Sequence, residues 1–221
     1  MKNCHFLFII LLFNLSCNKH IDCAPDQTIN IGRLKNNWIY VNEELKIKMA
    51  LPLNWYITTY QESNSQITVP IKTEMPSNLI QKSNITLKNV LDRKNSHEPL
   101  AIFPVFFISS IDPQTLFNNE GEKKSLGFCI VNSSNQNEDK DLEQLINDNG
   151  YQKYTPQKTE LDFGTKEKLK CIKISINRQG KTASRIIGLK NYGCYNLFIT
   201  IDYSTETGLK DIKKILSDIK Q

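Results

Sequence analysis

Hydrophobic and polar positions change rhythm several times along the chain, and each change marks an element. Leu45, Ile47, Met49 and Leu51 alternate with Lys46, Lys48 and Ala50, the two-residue period of a half-buried strand. Trp38 to Val41 precede it across Asn42-Glu43-Glu44, which predicts a hairpin, and Trp55 to Thr59 resume an extended run after Pro52. Leu100 to Ile108 is an unbroken apolar stretch that fits a buried strand, and Pro104, lacking a ladder donor, predicts an edge position or a bulge. Leu126, Phe128 and Ile130 alternate as another strand.

The period then changes to that of a helix. Asn137-Glu138-Asp139 opens it with negative charge on its positive end, Leu142, Leu145 and Ile146 form its apolar stripe, and Gly150 stops it. Asp112-Pro113 has the form of another helix start. Between residues 60 and 99 the pattern supports two readings. Ile85 and Leu87 suit a strand, whereas Leu79, Ile80, Leu87, Val90 and Leu91 suit one face of a helix.

The carboxyl third is the most regular. Ile172, Ile174 and Ile176 alternate up to a turn at Gln179-Gly180, Arg185, Ile187 and Leu189 follow, and Leu197, Ile199, Ile201 and Tyr203 alternate after a break at Tyr192-Gly193-Cys194. A two-residue first turn puts Ile174 opposite Arg185 and Ile172 opposite Ile187. An odd-length second connection would put Ile187 on the side of Ile199 and bring Cys171 near Gly188 and Phe198. Leu209, Ile212, Ile215, Leu216 and Ile219 then share a face of a terminal amphipathic helix, with Lys210, Lys213, Lys214 and Lys220 outside it. The class expected is α+β, an antiparallel sheet covered by helices.

The amino terminus follows a different rule. Lys2 is followed by the apolar run Phe6 to Phe13, too short for a span of about 18 to 20 residues. Leu15-Ser16-Cys17 and the polar Asn18-Lys19-His20 come next, and the whole segment resembles a bacterial lipoprotein signal, with Asn14 where that pattern usually has an aliphatic residue. The resemblance implies cleavage after residue 16 and acylation of Cys17, hence a location in the bacterial cell envelope, on the periplasmic or outer-membrane face, with a lipid anchor in the membrane. Ordinary secretion fits less well, since Asp22-Cys23-Ala24 puts a charge where a small residue is needed. The organisation expected is a signal over 1–16, a lipidated cysteine and polar tether over 17–37, and one domain over 38–221.

Composition narrows the chemistry. The chain carries 28 Lys+Arg against 23 Asp+Glu, a formal +5. Only four of those cations are arginine, which argues against nucleic-acid recognition. Of three histidines, His5 and His20 precede the domain, so His97 alone could serve a histidine-dependent site, and no zinc site built on several histidines is expected. Its surroundings, Asn95-Ser96-His97-Glu98-Pro99, read as a loop. No Cys-x-x-Cys, phosphate loop or Gly-x-Ser-x-Gly elbow is present, and neither a cofactor nor a metal is expected.

Four cysteines remain in Cys23, Cys129, Cys171 and Cys194. The strand register separates Cys171 from Cys194 by too many residues for a bond, and it leaves a Cys129–Cys171 pair open. The aromatic set Trp38, Tyr40, Trp55, Tyr56, Phe106 and Phe107 belongs to the core or lines a contact surface.

The segment Met49-Ala50-Leu51-Pro52-Leu53-Asn54-Trp55, the middle helix, the strand meander and the ending LFITIDYSTETGLKDIKKILSDI together resemble the PsbP-like α/β/α sandwich. That resemblance implies a scaffolding or interaction module and carries over no catalytic residue. The function expected is therefore non-catalytic binding of a protein partner at the envelope. The alternatives are a hydrolase using carboxylates or His97 in a cleft, and an immunity or inhibitor protein docking through its aromatic surface.

Overall fold

The computed structural model describes residues 23–61, 65–76, 83–92, 102–113, 122–132, 137–148, 150–164, 167–178 and 181–220. Thirteen strands are described: β1 Thr28–Asn30, β2 Arg33–Lys35, β3 Ile39–Asn42, β4 Ile47–Ala50, β5 Tyr56–Tyr60, β6 Gln66–Pro70, β7 Asn84–Thr86, β8 Ile102–Ser109, β9 Lys124–Asn132, β10 Gln157–Phe163, β11 Glu167–Arg178, β12 Lys181–Asn191 and β13 Tyr195–Tyr203. The helices are α1 Leu87–Leu91, α2 Glu138–Asp148 and α3 Glu206–Ser217. Eight strands form one antiparallel sheet in the order β10-β11-β12-β13-β9-β8-β5-β6, beside a three-stranded sheet β2-β3-β4 and the pair β1-β7. The chain is an α+β protein dominated by that large sheet.

Both faces of the sheet are covered. On one, Phe128, Ile199, Ile201 and Leu169 pack with Tyr40 and Met49 of the small sheet, with Trp38 in the turn just before β3, and with Leu209, Ile212 and Leu216 of α3. On the other, Ile172, Ile174, Ile187, Leu189 and Phe198 pack under Leu142, Leu145 and Ile146 of α2. The two-residue period places alternate residues of one strand in different cores. Ile186 and Ile187 accordingly lie in opposite layers. Helix α3 begins at Thr205, whose hydroxyl accepts from the Gly208 amide at 3.0 Å, and its apolar stripe supplies the buried side.

Most of the expected elements are present. The hairpin of residues 38–51 is β3 and β4, with Asn42 opposite Ile47. Leu45, Ile47, Met49 and Leu51 are all buried. The ladder of β8 shifts between Pro104 and Phe106, the bulge that the proline predicts, although β8 lies inside the sheet. The strand reading holds for Ile85, which lies in β7, but not for Leu87, which lies with Val90 on α1 as the helix reading has it. Leu79 and Ile80 are outside the described residues, as are residues 114–121, which follow Pro113.

Two expectations need correction. Ile174 faces Arg185 and Ile172 faces Ile187 as expected, but Ile187 faces Thr200, and Gly188 faces Ile199 instead of Phe198. The connection runs from Asn191 to Asn196 and holds four residues, closed by the Tyr192 amide donating to the Tyr195 carbonyl at 2.9 Å. An even connection moves the register by one and sends Ile187 and Ile199 to opposite cores. The second correction concerns the tether over residues 17–37. From residue 23 onward this segment is folded: β1 pairs with β7, β2 pairs with β3, and Ile29, Ile31 and Leu34 are buried.

Candidate functional site

A cavity of about 300 Å³ opens between the first half of α2 and strands β10 and β11. Helix α2 is set there by its own amino end. The Asn137 side-chain oxygen accepts from the amides of Asp139 at 3.0 Å and Lys140 at 3.3 Å. The Glu138 carboxylate accepts from the Asn191 amide at 2.9 Å, and Asp141 accepts from Asn196 at 2.7 Å. Asn191 in turn donates to the Asn196 side-chain oxygen at 2.8 Å, so the polar end of α2 is tied to the β12–β13 connection. Asp141 and Asn196 are buried, where losing a partner costs more than on the surface.

Leu142 and Ile172 give the cavity an apolar floor, and charged groups form its rim. Across the mouth, Lys170 reaches Asp139 at 2.7 Å and Lys158 reaches Glu143 at 3.7 Å. The hydrogen bond from Lys170 holds the Asp139 carboxyl below its usual range, and that same bond raises the Lys170 ammonium. Asp139 therefore stays ionised at neutral pH. It is suited to hold a cation and not to donate a proton. Cys171 also lines the cavity, but burial pushes its thiol up to about 12. Burial moves the Cys129 thiol to about 12 as well. Neither is a thiolate at neutral pH, and the thiolate is the nucleophile.

The candidates from the sequence fall elsewhere. Trp38 and Tyr40 are each 1% exposed and Trp55 is 8% exposed, so these three belong to the core and offer no contact surface. Packing explains their place. Tyr40 lies 4.7 Å from Phe106 and 6.3 Å from Phe128 between ring centres, and its hydroxyl donates to the Ile31 carbonyl. The Trp38 indole donates to the Lys72 carbonyl, which satisfies its one polar atom. Tyr56 is half-buried on β5. His97 and Cys17 lie outside the described residues. No group of three or more His, Cys, Asp or Glu among the described residues could hold a metal ion. No described helix is long and apolar enough to cross a membrane.

Cys23 is bonded to Cys194, with Cα atoms 5.4 Å apart. Cys171 is free, in keeping with its expected separation from Cys194. Cys129 and Cys171 do not pair, because β13 and β12 stand between their strands and they pack in different layers. Sequence reasoning missed the Cys23 bond by placing Cys23 in a tether. The signal was present in Thr28-Ile29-Asn30-Ile31, whose alternation marks a short strand directly after it. Beside the disulfide, Tyr192 stacks on Tyr195 at 5.8 Å, and the Tyr195 hydroxyl donates to Glu44 at 2.8 Å. This joins the β12–β13 connection to the turn between β3 and β4. The chain matches no protein-family model, and no curated protein matches it.

Proposed function

We propose that this chain is a lipid-anchored protein of the bacterial cell envelope, acylated at Cys17, whose PsbP-like sandwich binds a protein partner without catalysis. The observation that carries this reading is the Cys23–Cys194 disulfide. Such bonds persist in oxidising compartments outside the cytoplasm, where a lipoprotein signal would deliver the domain. Helix α2 on one face of the sheet and α3 on the other support the sandwich. Binding is favoured over catalysis because two of the three cavity carboxylates, Asp139 and Glu143 but not Glu160, are each paired with a lysine and burial raises both free thiols.

The test has two steps. The Cys17→Ala protein should leave the membrane fraction and lose incorporation of labelled fatty acid. If it fractionates as the unaltered protein does, the anchor is elsewhere and the reading fails. Affinity capture from the native membrane should then recover a stoichiometric protein partner, and recovery of none would overturn the binding role.

A further inference from the structure

The disulfide also limits where the domain can stand. Five residues, Asn18 to Asp22, separate Cys17 from Cys23. Six steps of extended chain reach at most about 20 Å. Beyond Cys23 no slack remains. The Gln27 amide donates to Ala24, the Lys88 amide to Pro25 and the Leu87 amide to Gln27, and β1 follows at once. Cys194 is itself part of the rigid body, 5% exposed, in a connection closed by Tyr192–Tyr195 and by the Gly193 amide donating to the Asn191 side chain at 2.9 Å.

Antiparallel register fixes what lies near that point and what lies far from it. Asn191 and Asn132 end β12 and β9 beside Cys194, and Tyr195 begins β13 there. Glu44 brings in the β3–β4 turn through Tyr195, with exposed Lys46 two residues on. The opposite end of the sheet carries Lys124 opposite Tyr203, Lys123 donating to Ser204, and the first turns of α3 with exposed Lys210. The nine residues of β9 span the distance between the ends, about 27 Å at strand rise.

We infer that the end of the large sheet bearing the β12–β13 connection is held facing the bilayer that carries the chain's own acyl anchor, and that the α3 amino-terminal end points away from it. The inference rests on the anchor reading above, and its occupant is a lipid surface presented by a tether too short to let the domain turn over. The far end is then the surface left for a partner approaching from the aqueous side.

The acylated protein, reconstituted into phosphatidylcholine vesicles doped with a phospholipid whose headgroup ends in an amine-reactive ester, provides the test. Cross-links are mapped by mass spectrometry. Because effective concentration falls steeply with distance, cross-links at Lys46 and Lys190 should exceed those at Lys123 and Lys210 by at least about tenfold. Inserting about 30 Gly/Ser residues between Asn18 and Lys19 adds a coil of roughly 30 Å and should flatten the ratio while the protein still sediments with vesicles. Equal labelling of both ends, or preference for Lys123 and Lys210, in protein whose sedimentation depends on Cys17 overturns the orientation and leaves the anchor standing. A ratio unchanged by the insertion overturns the tether as its cause. Sedimentation that does not depend on Cys17 overturns the anchor and the orientation together.

Discussion

The two faces of the large sheet are held by different means. The face under α3 and the small sheets is rich in aromatic contacts: Tyr40, Phe106, Phe128 and Phe163 run in contact, with Phe106 and Phe128 centred 4.8 Å apart. The face under α2 is smaller and mostly aliphatic, with Phe198 as its one buried aromatic side chain among the described residues, and polar bonds tie down its margin. Glu138, Asp141, Asn191 and Asn196 fix one end of α2. At the other, Arg185 grips Asp202 with two bonds, at 2.6 and 3.0 Å, and reaches the hydroxyl of Tyr151 in the turn that follows the helix. Burial has no direction and suits a permanent core, whereas hydrogen bonds set a position and can be released singly. The cavity lies on the second face. A surface that must admit a ligand is more easily built where a helix is positioned by bonds than where it is sealed by aromatic packing.

The contrast can be broken by mutation. Phe128→Ala empties the aromatic face and should cost about 3–5 kcal/mol of global stability in a denaturant titration. A loss below 1 kcal/mol would show that this face is not the stabilising one. Removing the disulfide with Cys23→Ser and Cys194→Ser should cost about 2–4 kcal/mol by the same measurement, since a bond spanning 171 residues restricts the unfolded chain strongly. The loss should appear first as faster amide exchange in β1. Asn196→Ala should cost about 1–2 kcal/mol by taking one hydrogen bond from buried Asp141. Its main effect should be local, with α2 amides losing protection while β9 amides keep theirs. Uniform loss across both elements would mean that the faces are one cooperative unit.

The smallest effect is the most specific to the cavity. Asp139 has a lowered pKa, so its ion pair contributes above the ordinary carboxylate pKa, and the contribution is lost as pH falls through the folded value. The raised Lys170 contributes below the ordinary lysine value, and its contribution is lost as pH rises through the folded one. The melting temperatures of Asp139→Asn and the unaltered protein should therefore differ slightly at neutral pH and converge in acid. Because both groups are exposed, salt should shrink the difference. A difference that persists in strong acid would assign it to packing.

Legibility in the sequence followed the locality of the signal. The β3–β4 hairpin, α2 with its Gly150 stop, the Pro104 bulge and α3 were all readable, because caps, breakers and periods act over a few residues. The register of β13 was missed by one residue because the connection after Asn191 holds four residues instead of three, and a two-residue period offers no second check once both faces are buried. The aromatic set could not be placed from sequence, since a core and a contact surface use the same side chains. The cavity was not readable at all, for it joins Asp139 on a helix to Lys170 on a strand 31 residues later.

The sequence by itself determined the α+β class, the order of most elements and the separation of Cys171 from Cys194, all consequences of local periodicity and chain reach. The alternation from Thr28 to Ile31 marks a short strand, but only the tertiary structure decided where residues 23–35 pack. Their three buried aliphatic side chains are too few to organise anything alone, and they gain a core only when β7, β3 and Cys194 arrive from distant parts of the chain.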